Sequence, residues 1–445
     1  MTLRDYQTNT IDRVRTAVKQ NSRSICVVMP TGAGKTRTFA EVARRMAANG
    51  RPSLWLAHRA ELVDQAYEAL RSAGVIVGCI SASAMSPPNP FAPVQVATVQ
   101  TLLARRMRPP AELIVADEAH HYVADEFSSV LQDYPKDTIV IGPTATPERS
   151  DGRGLGAMFT RIIVGVRVRE LVDQGFLVPS SIIAPRQRLK QGQIAQRPVD
   201  AYLEHASGRP TIVFSPSVAQ ANIHADEFNA KGIVARVITG DMPWAERTLY
   251  LEAFRSGQVQ VLVNVYVLTE GFDVPATSCV ILARGCGTSG TYIQMVGRAL
   301  RPAPGKKDAV ILDLHGVSHM HGHPEDDRQY QLDGRGILRG DDINVAQSYC
   351  RVCGAPIEPG TPCDECGTAP KAIAYSVTGE KLVPYARKRA EGADDRAKTL
   401  AKWLGIAKSK GYKTGWAYWK YSAVYGCRPE YEVQRLASKL IAGVA

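Results

Sequence analysis

Short apolar runs recur along this chain, and each is followed by small or polar residues and then by a longer stretch with apolar positions at helical spacing. Ser24–Met29, Ser53–Ala57, Val94–Ala97, Leu113–Ala116 and Thr138–Ile141 read as strands. Thr36–Asn49, Glu61–Ser72 and Thr98–Arg106 read as helices, as does a first segment carrying Ile11, Val14 and Val18. The alternation of strands with helices implies a parallel sheet covered on both faces, with ligands at the strand C-termini. The pattern resumes after residue 210: Thr211–Ser215, Val234–Ile238 and Val259–Asn264 as strands, Val218–Asn229 and Pro243–Phe254 as helices. Between the two regions, Val166–Gln196 contains Gly175, Pro179 and Pro185 and reads as a crossing.

The polar residues that follow the strands carry the chemistry. Pro30-Thr31-Gly32-Ala33-Gly34-Lys35-Thr36 lies between a strand and a helix. In that setting free backbone N–H groups and the positive helix end form an anion cradle. Thr31, Gly32 and Gly34 would wrap the phosphates of ATP, Lys35 would reach the β- and γ-phosphates, and Thr36 would hold Mg²⁺. Met29 stands where the full phosphate-loop pattern has glycine, and glycine-rich turns before helices also occur for steric reasons alone. The next chemical strand ends in Asp117-Glu118-Ala119-His120. Adjacent carboxylates there suit a nucleotide hydrolase, Asp117 as the Mg²⁺ residue and Glu118 orienting the attacking water. Near the start, Leu3-Arg4-Asp5-Tyr6-Gln7 offers an amide that can both donate to and accept from an adenine edge.

The order of these motifs resembles a superfamily 2 helicase of the DEAH-box type, and Asp117–His120 spells that box. The resemblance implies two tandem RecA-like domains. It makes Arg4 and Gln7 the adenine-reading pair, gives Thr144-Ala145-Thr146 the coupling of hydrolysis to nucleic acid, and makes the departure at Met29 minor. It assigns strand gripping to His58-Arg59 with Glu61-Leu62 and to Thr98-Val99-Gln100, with Thr239 and Thr269 serving the same end in the second domain. Thr269-Glu270-Gly271-Phe272-Asp273 resembles the fifth family motif, with Gly271 and Asp273 at the nucleotide, and Gln294-Met-Val-Gly297-Arg298-Ala-Leu-Arg301 matches the sixth. The two arginines stand one helical turn apart and would act as arginine fingers beside Gln294. Since no second phosphate loop occurs, the second domain would serve the nucleotide of the first, and ATP would open and close the cleft between them.

Composition shifts this picture at the C-terminal end. The chain has 445 residues and a net charge of +11, and from Ala372 onward it carries 14 Lys/Arg against 6 Asp/Glu. Nucleic acid is the implied partner, single-stranded or branched DNA first and RNA second. No apolar stretch is long enough to span a membrane, and no signal-peptide core is visible, so a cytoplasmic location is expected. Cys350-x-x-Cys353-Gly and Cys363-x-x-Cys366-Gly offer four thiolates to a tetrahedral Zn²⁺, with disulfides as the alternative. His315, His319, His321 and His323 suggest a metal site, but a polar surface loop is the favoured reading. In the tail, Trp403, Trp416 and Trp419 would stack on unpaired bases and neighbouring Lys residues would meet phosphates, while Tyr418, Tyr421 and Tyr425 at helical spacing would equally form a small core.

The tail after the sixth motif, the zinc module and Lys410–Ala417 resemble the RadD-like branch and its phage-encoded relatives, which implies work in DNA repair or at replication forks, alongside single-strand-binding or recombination proteins. The expected layout is 1–187 and 188–338 as the two RecA-like domains, 339–371 as a zinc knuckle and 372–445 as a basic helical module. The rival readings are an RNA-directed helicase, a restriction-system motor, and a scaffold that clamps nucleic acid on ATP without unwinding it.

Overall fold

The computed structural model describes residues 3–81, 85–122, 124–147, 154–269, 274–328, 330–332, 348–349, 356–357, 376–385, 393–425, 429 and 431–441. Gly271, Asp273 and the four clustered cysteines Cys350, Cys353, Cys363 and Cys366 lie outside them.

The chain forms two units, one of residues 1–334 with 373–384 and one of 335–372 with 385–445. The first unit contains two lobes. Lobe one runs α1 (Asp5–Lys19), β1 (Ser24–Val28), α2 (Lys35–Ala48), β2 (Ser53–Ala57), α3 (Ala60–Ser72), β3 (Val77–Ile80), β4 (Val94–Thr98), α4 (Val99–Arg105), β5 (Leu113–Ala116), α5 (Ala124–Leu131), β6 (Ile139–Thr144), β7 (Arg161–Val164) and α6 (Val168–Asp173). Its strands form one parallel sheet in the order β3-β4-β2-β5-β6-β1-β7. The sheet is covered on both faces: every residue of β2, β4 and β5 is buried, Gln95 included. Phe127 and Phe159 close the core beneath β5 and β6 and are fully enclosed. Truncating either to alanine would cost about 3–5 kcal/mol.

Lobe two runs β8 (Ser180–Ala184), β9 (Gln193–Ile194), α7 (Pro198–His205), β10 (Thr211–Phe214), α8 (Val218–Ala230), β11 (Ala235–Ile238), α9 (Trp244–Arg255), β12 (Val261–Asn264), β13 (Cys279–Leu282), α10 (Ser289–Gly297), β14 (Ala309–Asp313) and α11 (Ser318–His321). Its sheet has the order β11-β12-β10-β13-β14-β8, closed at the edge by a strand from residues 383–384 that runs antiparallel to β8. Here the structure differs from the sequence reading. β8 pairs with β14, so Ser180–Ala184 belongs to lobe two, although it falls inside the stretch 166–196 read as the crossing and ahead of the boundary expected at 187; the link from α6 to β8 is residues 174–179. The strand escaped notice because Pro179 and Pro185 bracket its five residues. Residues 376–384, read as the start of the basic module, also return to lobe two and pair with β8 and β9.

The histidine stretch is not a surface loop. His315 and His323 are buried, and each of the four rings meets a main-chain carbonyl: His315 that of Gln193 at 2.8 Å, His319 that of Pro185 at 2.8 Å, His321 that of Cys286 at 2.9 Å and His323 that of Ser180 at 3.2 Å. A ring nitrogen facing a carbonyl must carry the proton, so these histidines are neutral or charged donors that tie neighbouring segments together. Asp313 anchors the same turn by accepting from Gly316 N at 2.8 Å and from Ser318 N and Oγ at 2.6 Å.

In the second unit, described by itself, α12 (Ala393–Ser409), α13 (Thr414–Tyr425) and α14 (Tyr431–Ile441) pack around Ala397, Leu400, Tyr421, Val433 and Ala437.

Candidate nucleotide cleft

The turn after β1 is built by glycine. Gly32 and Gly34 adopt left-handed φ values of 86° and 76°, which lets the chain wrap and places α2 with its first residue at Lys35. Met29 is fully buried below the turn, its N–H bonded to Thr144 O at 2.9 Å, so the position needs a core side chain and not a glycine. Lys35 Nζ lies 3.2 Å from Glu118 Oε1, and both groups are largely buried. Glu118 itself takes a left-handed backbone at φ 48°, an uncommon state for a non-glycine that costs about 1 kcal/mol and turns its carboxylate back over the loop. Its N–H is held by Asp117 Oδ1 at 3.0 Å.

These groups face a cavity of about 390 Å³ whose walls come from both lobes. Lobe one contributes Arg4, Thr31, Gly32, Gly34, Lys35, Thr36, Asp117 and Glu118, and lobe two contributes Pro275, Arg298, Arg301 and Pro302. The lining carries four cations against two carboxylates, with the turn and helix start of α2 between them, and its volume suits a drug-sized or nucleotide-sized ligand. The donor set therefore fits a triphosphate with its cation: Lys35 and the arginines for phosphate oxygens, the Thr36 hydroxyl and the Asp117 carboxylate for Mg²⁺.

Close approach of the lobes depends on missing side chains. A Cβ on Gly297 would stand 3.0 Å from Thr31 Cβ, one on Gly290 would stand 2.8 Å from Thr146 Oγ1, and one on Gly32 would stand 3.4 Å from Arg301 Cγ. Arg298 is buried and donates through Nη2 to Thr269 O. Lys306 braces the neighbouring main chain, donating to Pro275 O at 3.0 Å, to Arg301 O at 2.6 Å and to Thr277 O. Burial pushes its ammonium down to about 7.

A second link runs through His120. Gln294 Nε2 lies 2.9 Å from His120 Nε2, and His120 Nδ1 lies 2.9 Å from Thr144 Oγ1. An amide nitrogen donates, so Nε2 accepts and the proton sits on Nδ1. Thr144 Oγ1 then receives that N–H and the Thr146 N–H at 3.1 Å, and donates to Thr146 O at 2.6 Å. The network assigns one tautomer and connects α10 of lobe two to the end of β6 in lobe one. His121 extends it, stacking on His58 at 3.9 Å and lying 4.1 Å from His120.

Of the expected adenine pair, only Arg4 reaches the cavity. Gln7 is buried, its Oε1 accepting from Arg4 N at 3.0 Å and its Nε2 donating to Ala33 O at 3.2 Å, so both ends of the amide are engaged with backbone. Tyr6 OH also donates to Ala33 O at 2.9 Å. A wall residue that the sequence reading missed is Phe176, with the Arg4 guanidinium 4.1 Å above its ring. An aromatic isolated in the Gln174-Gly175-Phe176 turn was the available signal. The strand-gripping candidates sit after strand C-termini. Arg59 caps α3 and is exposed, Gln100 is exposed on α4, and Thr98 caps α4 by accepting from Thr101 N at 3.2 Å. Thr239 and Thr269 are half-buried after β11 and β12, the Thr269 hydroxyl bonded to Tyr266 O. Among the described residues no cluster of three or more His, Cys, Asp or Glu could hold a metal, and no helix is long and apolar enough to cross a membrane.

Two RecA-like lobes with a phosphate loop in one and arginines of the other at a shared cavity define a two-lobed nucleotide hydrolase fold. Residues 1–149 match the family described as "Type III restriction enzyme, res subunit" and residues 195–303 the "Helicase conserved C-terminal domain". Together these span more than half of the chain, which belongs to superfamily 2 of the helicases, an ATP-hydrolysing family. It is 28% identical to a 51.5 kDa protein of a Lactococcus phage, over 73% of this chain and 74% of the other. It is 29% identical to the putative ATP-dependent helicase IRC3 of Saccharomyces cerevisiae, over 72% of this chain and only 52% of that protein, so it spans about half that relative's length. The fold is shared with the DNA-bound Type ISP restriction-modification enzyme LlaBIII (TM-score 0.53, 16% identity, 70% of this chain and 27% of that one). It is shared also with RNA-bound S. cerevisiae Dbp5 (TM-score 0.51, 18% identity, 72% and 92%).

Proposed function

We propose that this protein hydrolyses ATP in the shared cavity and uses the resulting opening and closing of its lobes to move along or remodel DNA. The observation that carries the reading is that Arg298 and Arg301 of lobe two line the same cavity as Lys35, Thr36, Asp117 and Glu118 of lobe one. Lys35 neutralises the terminal phosphates, Glu118 orients the attacking water, and the two arginines stabilise charge on the transferring phosphoryl group. Thr36 and Asp117 would hold Mg²⁺, which would supply neutralisation of phosphate charge. Gln7 fixes the loop, while Arg4 and Phe176 make the base-side wall. Gln294, through His120 and Thr144, reports the state of the cleft to residues that grip the strand: Arg59, Thr98, Gln100, Thr239 and Thr269.

DNA is favoured over RNA by the resemblance to the DEAH-type, RadD-like branch, and repair or fork processing is the matching task. Gly271 and Asp273 complete the nucleotide site from lobe two, and Cys350, Cys353, Cys363 and Cys366 hold Zn²⁺ in a small module. The described free thiols, all buried, suit a reducing compartment such as the cytoplasm. ATPase rates with single-stranded, duplex and forked DNA and with RNA, combined with strand displacement, test the reading. Stimulation by RNA alone overturns the DNA assignment, and stimulation without displacement leaves a translocase or clamp. Metal analysis of the purified protein tests the zinc assignment, with one Zn²⁺ per chain expected.

A further inference from the structure

The three-helix module separates its aromatic residues into two sets. Tyr421 is fully buried in the core with Leu400 and Val433, and Tyr418 donates to Gln434 Oε1 at 3.1 Å on the core's edge. Trp403 and Trp416 are half-buried, whereas two other rings stand out from the core. Trp419 is 63% exposed and Tyr412 49% exposed. Trp403 and Trp416 meet edge to face at 5.9 Å, and Tyr412 lies 5.0 Å from Trp416. Lys420 stands among them, its Nζ 5.8, 5.7 and 5.1 Å from the rings of Trp403, Trp416 and Trp419, while Lys402 Nζ is 5.9 Å from Trp403.

A small core would draw large rings inward, and here it leaves Trp419 and Tyr412 exposed, Trp419 beside an ammonium group. From Arg396 to Pro429 the sequence contains eight Lys or Arg and no Asp or Glu, so the segment that carries these rings is strongly basic. Exposed ring faces with interleaved cations match a polyanion whose repeating unit carries a flat ring. An acidic peptide would use the lysines but has no need of exposed indoles.

We propose that this face of the three-helix module is a second nucleic-acid site that binds single strands by stacking unpaired bases on Trp419 and Tyr412 while Lys402 and Lys420 meet the phosphates. The inference rests on the motor reading only for its biological setting, and it assigns to the module a preference for unpaired over paired strands. Its role is to hold a strand between strokes, when the cleft has released its own grip.

The test uses the full chain without nucleotide, with fluorescein-labelled oligo(dT) and oligo(U) as probes and heparin as a polyanion that has no bases. Oligo binding is expected to quench tryptophan fluorescence. Trp419→Ala is expected to weaken oligo binding about 5- to 100-fold, with Trp419→Phe recovering most of it and heparin affinity shifting less than about 2-fold. Equal losses for both oligos identify any unpaired strand as the ligand, and a loss confined to one identifies its sugar type. Unchanged oligo affinity in Trp419→Ala, or heparin affinity falling in parallel, overturns the stacking site. Strand-stimulated turnover in the wild type is read separately. If it is present while Trp419→Ala changes nothing, this inference alone fails; if it is absent while the substitution weakens binding, the motor reading fails and this one stands.

Discussion

Lobe one and lobe two are built to the same plan. Strand for strand, β3-β4-β2-β5-β6-β1 corresponds to β11-β12-β10-β13-β14-β8, with a matching place in each sheet. The difference lies in the residues at the strand ends. After β1 come two glycines in left-handed turns and Lys35, whereas after its counterpart β8 come Pro185, Arg186 and Gln187. After β5 come Asp117 and Glu118, whereas after β13 come Ala283 and Arg284. One fold thus supplies a phosphate cradle in the first case and a partner surface in the second, because the sheet fixes only where the chemistry is displayed. Lobe two contributes by reaching across: Arg298 and Arg301 follow α10, whose glycines allow contact with Thr31 and Thr146.

The comparison predicts losses of turnover of similar depth from either side. Glu118→Gln in lobe one and Arg301→Ala in lobe two are each expected to lower turnover about 10³- to 10⁵-fold. Lys35→Ala should lose ATP binding as well, while Glu118→Gln should retain it, as measured by a fluorescent nucleotide. Near-normal turnover in Arg301→Ala would break the idea of a divided site and leave lobe two a passive wall.

A smaller loss tests whether the lobes must fit closely. Gly297→Val puts a branched side chain against Thr31, where even a Cβ would stand at 3.0 Å. About 10²-fold lower turnover is expected, since displacement of a reacting group by about 1 Å costs that much. ATP affinity should change little, because Thr31 and Lys35 remain in place. Lys306→Met removes the ammonium that joins the carbonyls of Pro275, Thr277 and Arg301, and about a 10-fold lower kcat is expected with KM for ATP nearly unchanged. Lys306→Arg, which keeps the charge, should recover part of it.

The two lobes also differ in how much of them could be read from sequence. In lobe one, Lys35, Asp117 and Glu118 follow strands whose apolar runs are unmistakable, and the structure brings them to one cavity. In lobe two the arginines were legible from the match to the sixth motif rather than from helical spacing, since α10 ends at Gly297 and both follow it, while Pro179 and Pro185 disguised β8 and the return of residues 376–384 to the sheet has no local signature. Gln7 was read for its chemical capacity, and its contacts were decided by the position of the Ala33 carbonyl, which no local pattern encodes. The histidine stretch failed for the same reason, since its four carbonyl partners come from distant segments.

The least effect on catalysis is expected from a buried group in lobe two with no counterpart in the cleft. His224 on α8 lies 2.9 Å from Ser215 Oγ, and burial pushes its imidazole down to about 4 from the ordinary 6.5. Between those values the unfolded chain binds a proton that the folded lobe refuses, so stability rises with pH across this window and falls as the solution is acidified through it. At pH 5 the penalty is about 2 kcal/mol relative to neutral pH. His224→Gln keeps a hydrogen-bonding partner for Ser215 and cannot titrate. Chemical denaturation at pH 7 and pH 5 should show the wild type losing more stability than the variant, with turnover at pH 7 the same in both. An equal loss in both proteins would assign the acid sensitivity to groups other than His224 and remove this difference between the lobes.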